Sequence, residues 1–110
     1  MAKKEDNTSE MLEKLQLSQH KLQMFVAQKQ QIQLQLAEFE NALEELEKTN
    51  KPVFKLVGEL LIEKDKAELK KSLSEKKEDF EVRLKSLDKQ ERKTREEATA
   101  LQKELAEKLK

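Results

Sequence analysis

The chain has 110 residues and a mass of 12.9 kDa, room for one domain. With 42% charged residues, one Gly, one Pro, no Cys and four Phe as its only aromatics, it is not an ordinary loop-rich globular fold, and neither a disulfide framework nor a thiolate metal site is open to it. Its 23 basic and 23 acidic residues cancel, so there is no net field to hold a nucleic-acid backbone or an anionic membrane.

The opening segment MAKKEDNTSE is polar and lacks the apolar core of a signal peptide, and residues 1–8 read as a disordered tail. The longest apolar runs, Leu60-Leu61-Ile62 and Met24 to Ala27, fall far short of the roughly 20 residues that span a bilayer. A cytoplasmic protein with no membrane association is expected.

From Met11, residues spaced alternately by four and three are Met11, Leu15, Ser18, Leu22, Phe25, Lys29, Ile32, Leu36, Phe39, Leu43 and Leu46, and nine of these eleven are apolar. That spacing is a heptad seam. With Ser9 as N-cap and Glu10 in the first turn, it predicts a helix over 9–48, roughly 60 Å long at 1.5 Å per residue. Off the seam, Leu12, Leu17, Met24, Val26 and Leu34 add apolar surface that a two-helix coil does not bury. Between Leu15 and Ala37 there are eight Gln and no acid, so this surface is neutral and adaptable.

Pro52 and Gly58 lie in the next segment, among Val53, Phe54, Leu56, Val57, Leu60, Leu61 and Ile62. Pro52 biases Lys51 away from helix, Gly58 accepts a positive φ, and clustered β-branched residues favour strands. A β-hairpin over 53–63 is expected, although Glu59 to Lys71 is also tolerable as an early start of the second helix. Two strands alone expose unpaired edges and apolar faces, so such a hairpin calls for strands from other chains, as in a closed barrel, or else folds onto its own helix ends.

A second seam, Lys70, Leu73, Lys77, Phe80, Leu84, Leu87, Glu91, Thr94, Ala98, Leu101 and Leu105, predicts a helix over 66–108, with Asp65 and Glu68 spaced as a capping box. Glu91 and Thr94 weaken its middle. Seam residues whose numbers sum to 116, such as Leu43 with Leu73 and Ile32 with Leu84, pair in register if the helices fold back antiparallel about Gly58. In that register Lys29 lies opposite Leu87, with Glu91 a turn away as an acid it can reach.

No catalytic constellation is visible. The single His20 falls at an outward heptad position, and carboxylate pairs such as Glu44-Glu45 and Glu96-Glu97 read as solvated helix faces. One His without Cys gives no metal site, and the basic stretch 89–95 lacks aromatics and is interleaved with acid. No enzyme activity, cofactor, metal or nucleic-acid partner is expected.

The stretches Gln28-Lys29-Gln30-Gln31-Ile32-Gln33-Leu34-Gln35-Leu36, Ala42-Leu43-Glu44-Glu45-Leu46-Glu47, Val53-Phe54-Lys55-Leu56-Val57-Gly58-Glu59-Leu60-Leu61-Ile62 and Val82-Arg83-Leu84-Lys85-Ser86-Leu87-Asp88-Lys89-Gln90-Glu91 together resemble the prefoldin beta subunit, particularly of the archaeal type. The central segment is the most specific, and a single hairpin is similar to the beta class. The resemblance implies a mainly α fold, an antiparallel two-helix coiled coil whose central β-hairpin joins an intersubunit β-barrel, in a hexamer of two alpha and four beta subunits. It implies an ATP-independent holdase that captures unfolded polypeptides at the coiled-coil tips and passes them to a group II chaperonin. The tip residues would be Met11, Leu12, Leu15, Leu17, Leu101, Leu105 and Leu109; the assembly residues would be Val53, Phe54, Leu56, Val57, Gly58, Leu60, Leu61 and Ile62. A structural or tethering antiparallel coiled coil is the competing reading.

Overall fold

The computed structural model describes residues 2–109, with side chains described from Asn7 onward. Helix α1 spans Ala2–Lys48, strands β1 and β2 span Val53–Val57 and Leu60–Lys64, and helix α2 spans Lys66–Lys108. Helix therefore accounts for most of the chain, and the only sheet among the described residues is the β1-β2 hairpin.

The expected tail over 1–8 is corrected: α1 begins at Ala2, and Met1 lies outside the described residues. Ser9 is an exposed residue inside the helix rather than its N-cap. Nothing in AKKEDNT interrupts a helix, since it contains neither Gly nor Pro, and a Ser in the interior costs only a few tenths of a kcal/mol, about 0.5, relative to Ala. The capping box is also corrected. The Asp65 carbonyl accepts the Leu69 N–H at 3.0 Å, but neither the Asp65 nor the Glu68 side chain makes the reciprocal backbone bond. Glu68 remains in the first turn, where the helix dipole favours an anion.

The end of α1 is closed by one backbone bond and one side chain. Thr49 N–H donates to the Glu45 carbonyl at 3.1 Å, and Lys66 Nζ donates to the Thr49 carbonyl at 2.9 Å. A cation thus satisfies an orphan carbonyl just where Pro52 forbids further helix.

The chain divides into two compact units, residues 31–84 and residues 1–30 with 85–110, here the hairpin unit and the end unit. In the hairpin unit, Phe39 and Phe80 meet edge to face with centroids 5.2 Å apart, and the Arg83 guanidinium lies 5.2 Å from the Phe80 ring centre. Leu46, 6% exposed, is its most buried apolar side chain. In the end unit the deepest apolar residues are Met11, Ala98 and Leu105.

All eleven seam positions of α1 are buried or half-buried, as are ten of the eleven on α2. The exception is Lys70, whose ammonium reaches Glu47 at 2.7 Å while Leu69 turns inward beside it. Antiparallel pairing is recorded by three ion pairs: Lys29–Asp88 at 2.6 Å in the end unit, and Lys70–Glu47 at 2.7 Å and Lys77–Glu40 at 3.6 Å in the hairpin unit. Each acid is the residue next to the seam position that the expected register sets opposite its lysine, Leu87, Leu46 and Phe39 in turn, so the ion pairs agree with seam pairs whose numbers sum to 116. In heptad terms, each lysine occupies an a position and each acid an e position of the facing helix.

Glu91 and Thr94, the polar residues that interrupt the second seam, are among the most buried of the described residues at 7% and 8% exposure. Glu91 tolerates this because its carboxylate accepts from Lys29 Nζ at 2.7 Å and from Arg95 Nη2 at 2.6 Å. Among the described residues no buried polar side-chain atom lacks a partner.

Candidate functional site

The hairpin is built by its own local chemistry. Val57 pairs with Leu60, Leu56 with Leu61, Lys55 with Ile62, Phe54 with Glu63 and Val53 with Lys64, which leaves Gly58 and Glu59 as a two-residue turn. Gly58 has φ +61° and is the only described residue with positive φ, the pattern of a type II′ turn, whose twist matches that of the flanking strands. A Cβ at position 58 would meet nothing within 4 Å, so glycine is required there by backbone conformation and not by space.

Period-two alternation puts Val53, Val57, Leu60 and Ile62 on one face and Phe54, Leu56 and Leu61 on the other. Both faces are apolar. Val53 is half-buried at the root, beside a shallow cleft lined by Ala42, Leu46, Leu69 and Leu73. Beyond it, Phe54, Leu56, Val57, Leu60, Leu61 and Ile62 are exposed, with Leu60 and Leu61 at 68% and 69%. The segment is thus neither an early start of α2 nor a flap folded onto its own helix ends. Each strand has one edge with no pairing partner among the described residues.

The second group of site residues divides in two. Leu12, Leu17 and Leu109 are exposed, at 47%, 54% and 74%. Met11 and Leu105 are buried, and Leu15 and Leu101 half-buried, because all four sit on the seams. They hold the end unit together and offer little surface while its helices stay paired. The off-seam residues Met24, Val26 and Leu34 are exposed as their heptad positions dictate.

Val82 on α2, also well exposed, belongs to the same class and was missed by a reading that followed off-seam apolar residues on α1 alone. The signal was present, since Val82 is two residues past the seam position Phe80 and so faces outward.

Three groups have displaced proton affinities. The Glu91 carboxyl is held below the usual carboxylate range by its hydrogen bond from Lys29, with Arg95 adding to the effect against the cost of burial. The Lys29 ammonium is correspondingly raised by Asp88 and Glu91. Glu47 is lowered by Lys70. All three are structural ion pairs that cross between helices, and none faces a cavity where a substrate would sit.

No group of three or more His, Cys, Asp or Glu among the described residues is placed to hold a metal ion. No described helix is long and apolar enough to cross a membrane. The concave surfaces are shallow grooves along helix flanks and at the hairpin root. What the arrangement offers is apolar side chain without cover, at the hairpin and along the end unit.

The family described as "Prefoldin subunit" matches residues 9–110. The chain is 40% identical over 97 residues to the prefoldin subunit beta of Archaeoglobus fulgidus, covering 86% of this chain and 84% of that one. It is 43% identical over 93 residues to the prefoldin subunit beta of Thermococcus onnurineus, covering 83% and 80%. Among solved structures it is similar to the crystal structure of the prefoldin beta subunit from Thermococcus strain KS-1, with a TM-score of 0.82, 38% identity, and coverage of 90% of this chain and 89% of that one.

Proposed function

The chain belongs to the prefoldin beta-subunit family, a family of chaperones and not of enzymes, and on that premise we propose that it is one subunit of an ATP-independent holdase. In this reading it joins alpha-type partners in a cytoplasmic hexamer of two alpha and four beta subunits, captures unfolded polypeptides and passes them to a group II chaperonin. The observation that carries the proposal is the hairpin. Six apolar side chains stand exposed on two strands that, among the described residues, pair only with each other. Burying a single Leu, Ile, Val or Phe is worth about 1.5–3 kcal/mol, so strands from other subunits at these edges would stabilise an assembly strongly.

Client capture is assigned to the end unit, where Leu12, Leu17 and Leu109 offer uncovered apolar surface and Met11, Leu15, Leu101 and Leu105 keep the helices paired beneath it. Each contact is weak. Several subunits that engage one unfolded chain convert later contacts into intramolecular events, which raises avidity without any new chemistry. A tether built on a coiled coil would need the seams but has no use for the exposed hairpin.

The test is suppression of aggregation of a chemically denatured client by the chain assembled with an alpha-type subunit. Suppression should be equal with ATP, without ATP and in chelator. A requirement for ATP, or no suppression by an intact assembly, would contradict the proposal.

A further inference from the structure

Charge is unevenly spread along the end unit. Residues 21–30 of α1 and 85–95 of α2 carry seven Lys and Arg against two acids, a net of +5 in a chain whose total is zero. Both acids are already engaged, Asp88 by Lys29 at 2.6 Å, and Glu91 by Lys29 at 2.7 Å and Arg95 at 2.6 Å. Lys21, Lys85, Lys89, Arg92 and Lys93 are exposed, and none of them is in an ion pair among the described residues. Their charge faces solvent, with Glu96 and Glu97 the next acids along α2.

A groove runs through the same stretch. Phe25 and Thr94 form its floor, Met24 and Lys21 flank it on α1, and Lys93 flanks it on α2, with Glu97 also lining it. It exists because Thr94 occupies a seam position with a short side chain, where a Leu would fill the depth beside Phe25. Met24 is 48% exposed, so the groove is apolar inside and cationic at its rims.

From this geometry we infer that the groove docks an acidic polypeptide segment, which sets an apolar side chain against Met24 and Phe25 and carboxylates against Lys21 and Lys93. Charge complementarity selects the partner. At the groove itself Lys21 and Lys93 outnumber the one acid, Glu97, and steer an anion to it over a screening length of about 8 Å at physiological salt. The apolar floor selects polypeptide over nucleic acid. The patch exposes no aromatic ring for a base to stack on, since Phe25 is half-buried, and a phosphate backbone has no use for Met24. Glu97 bounds the site by repelling any carboxylate placed beyond it. This site is separate from the client surface proposed above and stands without it.

Direct binding to the assembled protein tests the inference, independently of aggregation assays. Fluorescence anisotropy would follow a short labelled peptide of Glu and Ala carrying two Leu residues, beside the same peptide without Leu and an oligouridylate of equal charge. Lys21→Glu with Lys93→Glu should weaken the Leu-bearing peptide at least about ten-fold, Met24→Ser about three-fold, and the remote Lys103→Glu less than about two-fold. Lys85→Glu with Lys89→Glu, outside the groove, should weaken it through the patch's field while leaving the preference for Leu intact. Circular dichroism would establish that all variants keep wild-type helicity. Unchanged affinity after reversal of Lys21 and Lys93, equal affinity for the Leu-free peptide, or oligouridylate binding as tightly as the peptide would each overturn the inference.

Discussion

Three lysines sit where a heptad core wants leucine, and each is answered by an acid one helix away: Lys29 by Asp88, Lys70 by Glu47 and Lys77 by Glu40. A slip of one residue between the helices would break all three at once, so these pairs specify register more than they add stability. Lys29 is the most consequential, because it also neutralises Glu91, whose side chain is nearly covered. Lys29→Met alone should therefore lower the melting temperature, since it removes the largest stabiliser of a buried carboxylate, while Lys29→Met with Glu91→Leu should restore or exceed the wild-type value. The pH profile carries the same signature. The folded Glu91 carboxyl lies below its unfolded value of about 4.3, so its contribution is present above that pH and is lost as pH falls through the depressed value. The folded Lys29 ammonium lies above its unfolded value of about 10.4, so its contribution is complete below that pH and is lost as pH rises through the raised value. Thermal melts at acid, neutral and alkaline pH should show both wings flattened in the double variant relative to wild type. At the turn, Gly58→Val puts a β-branched residue at φ +61° and should cost about 1–3 kcal/mol in stability, readable by denaturant unfolding, although no atom obstructs the new side chain.

At the scale of elements, most of the architecture was legible because burial follows the heptad. Seam positions from Met11 to Leu46 are covered and the hairpin lies where Pro52, Gly58 and the β-branched residues cluster. The errors have physical causes. Ser9 has the chemistry of an N-cap, but a cap ends a helix only where the preceding residues cannot continue it, and AKKEDNT can. Glu91 and Thr94 look like defects until the cross-helix partners of Glu91 are known, and those depend on register. The resemblance puts Met11, Leu15, Leu101 and Leu105 at the tips together with Leu12, Leu17 and Leu109, and it takes the seam to separate the covered set from the exposed one. The groove between Phe25 and Thr94 was invisible, since it arises from what one helix fails to place opposite the other. For the hairpin, replacing residues 53–63 by a Gly/Ser linker of equal length should leave helical content nearly unchanged and reduce the oligomer to a monomer or weak dimer, as read by light scattering after size exclusion. Unchanged mass would favour the tether.

For the whole molecule, the proposal separates two apolar surfaces by role: the hairpin assembles, and the end unit captures. Both leave side chains in water that a self-sufficient fold would cover, which is the expected condition of a protein that works by lending apolar surface to others. The division makes a demand on one comparison. Leu12, Leu17 and Leu109 changed together to Ser should cost little stability, about 0.5 kcal/mol each at exposed positions, while each removes a client contact worth up to about 1.5–3 kcal/mol from every copy of the subunit. A control in the hairpin unit changes Glu75, Glu78 and Glu81 to Ser, exposed acids that take part in none of the cross-helix ion pairs. The deciding measurement is light scattering of a denatured client as it aggregates in the presence of each variant, both first shown to be intact hexamers. The account predicts that the leucine variant loses most of its protection while the control keeps it; equal protection by the two would mean that clients bind elsewhere on the assembly.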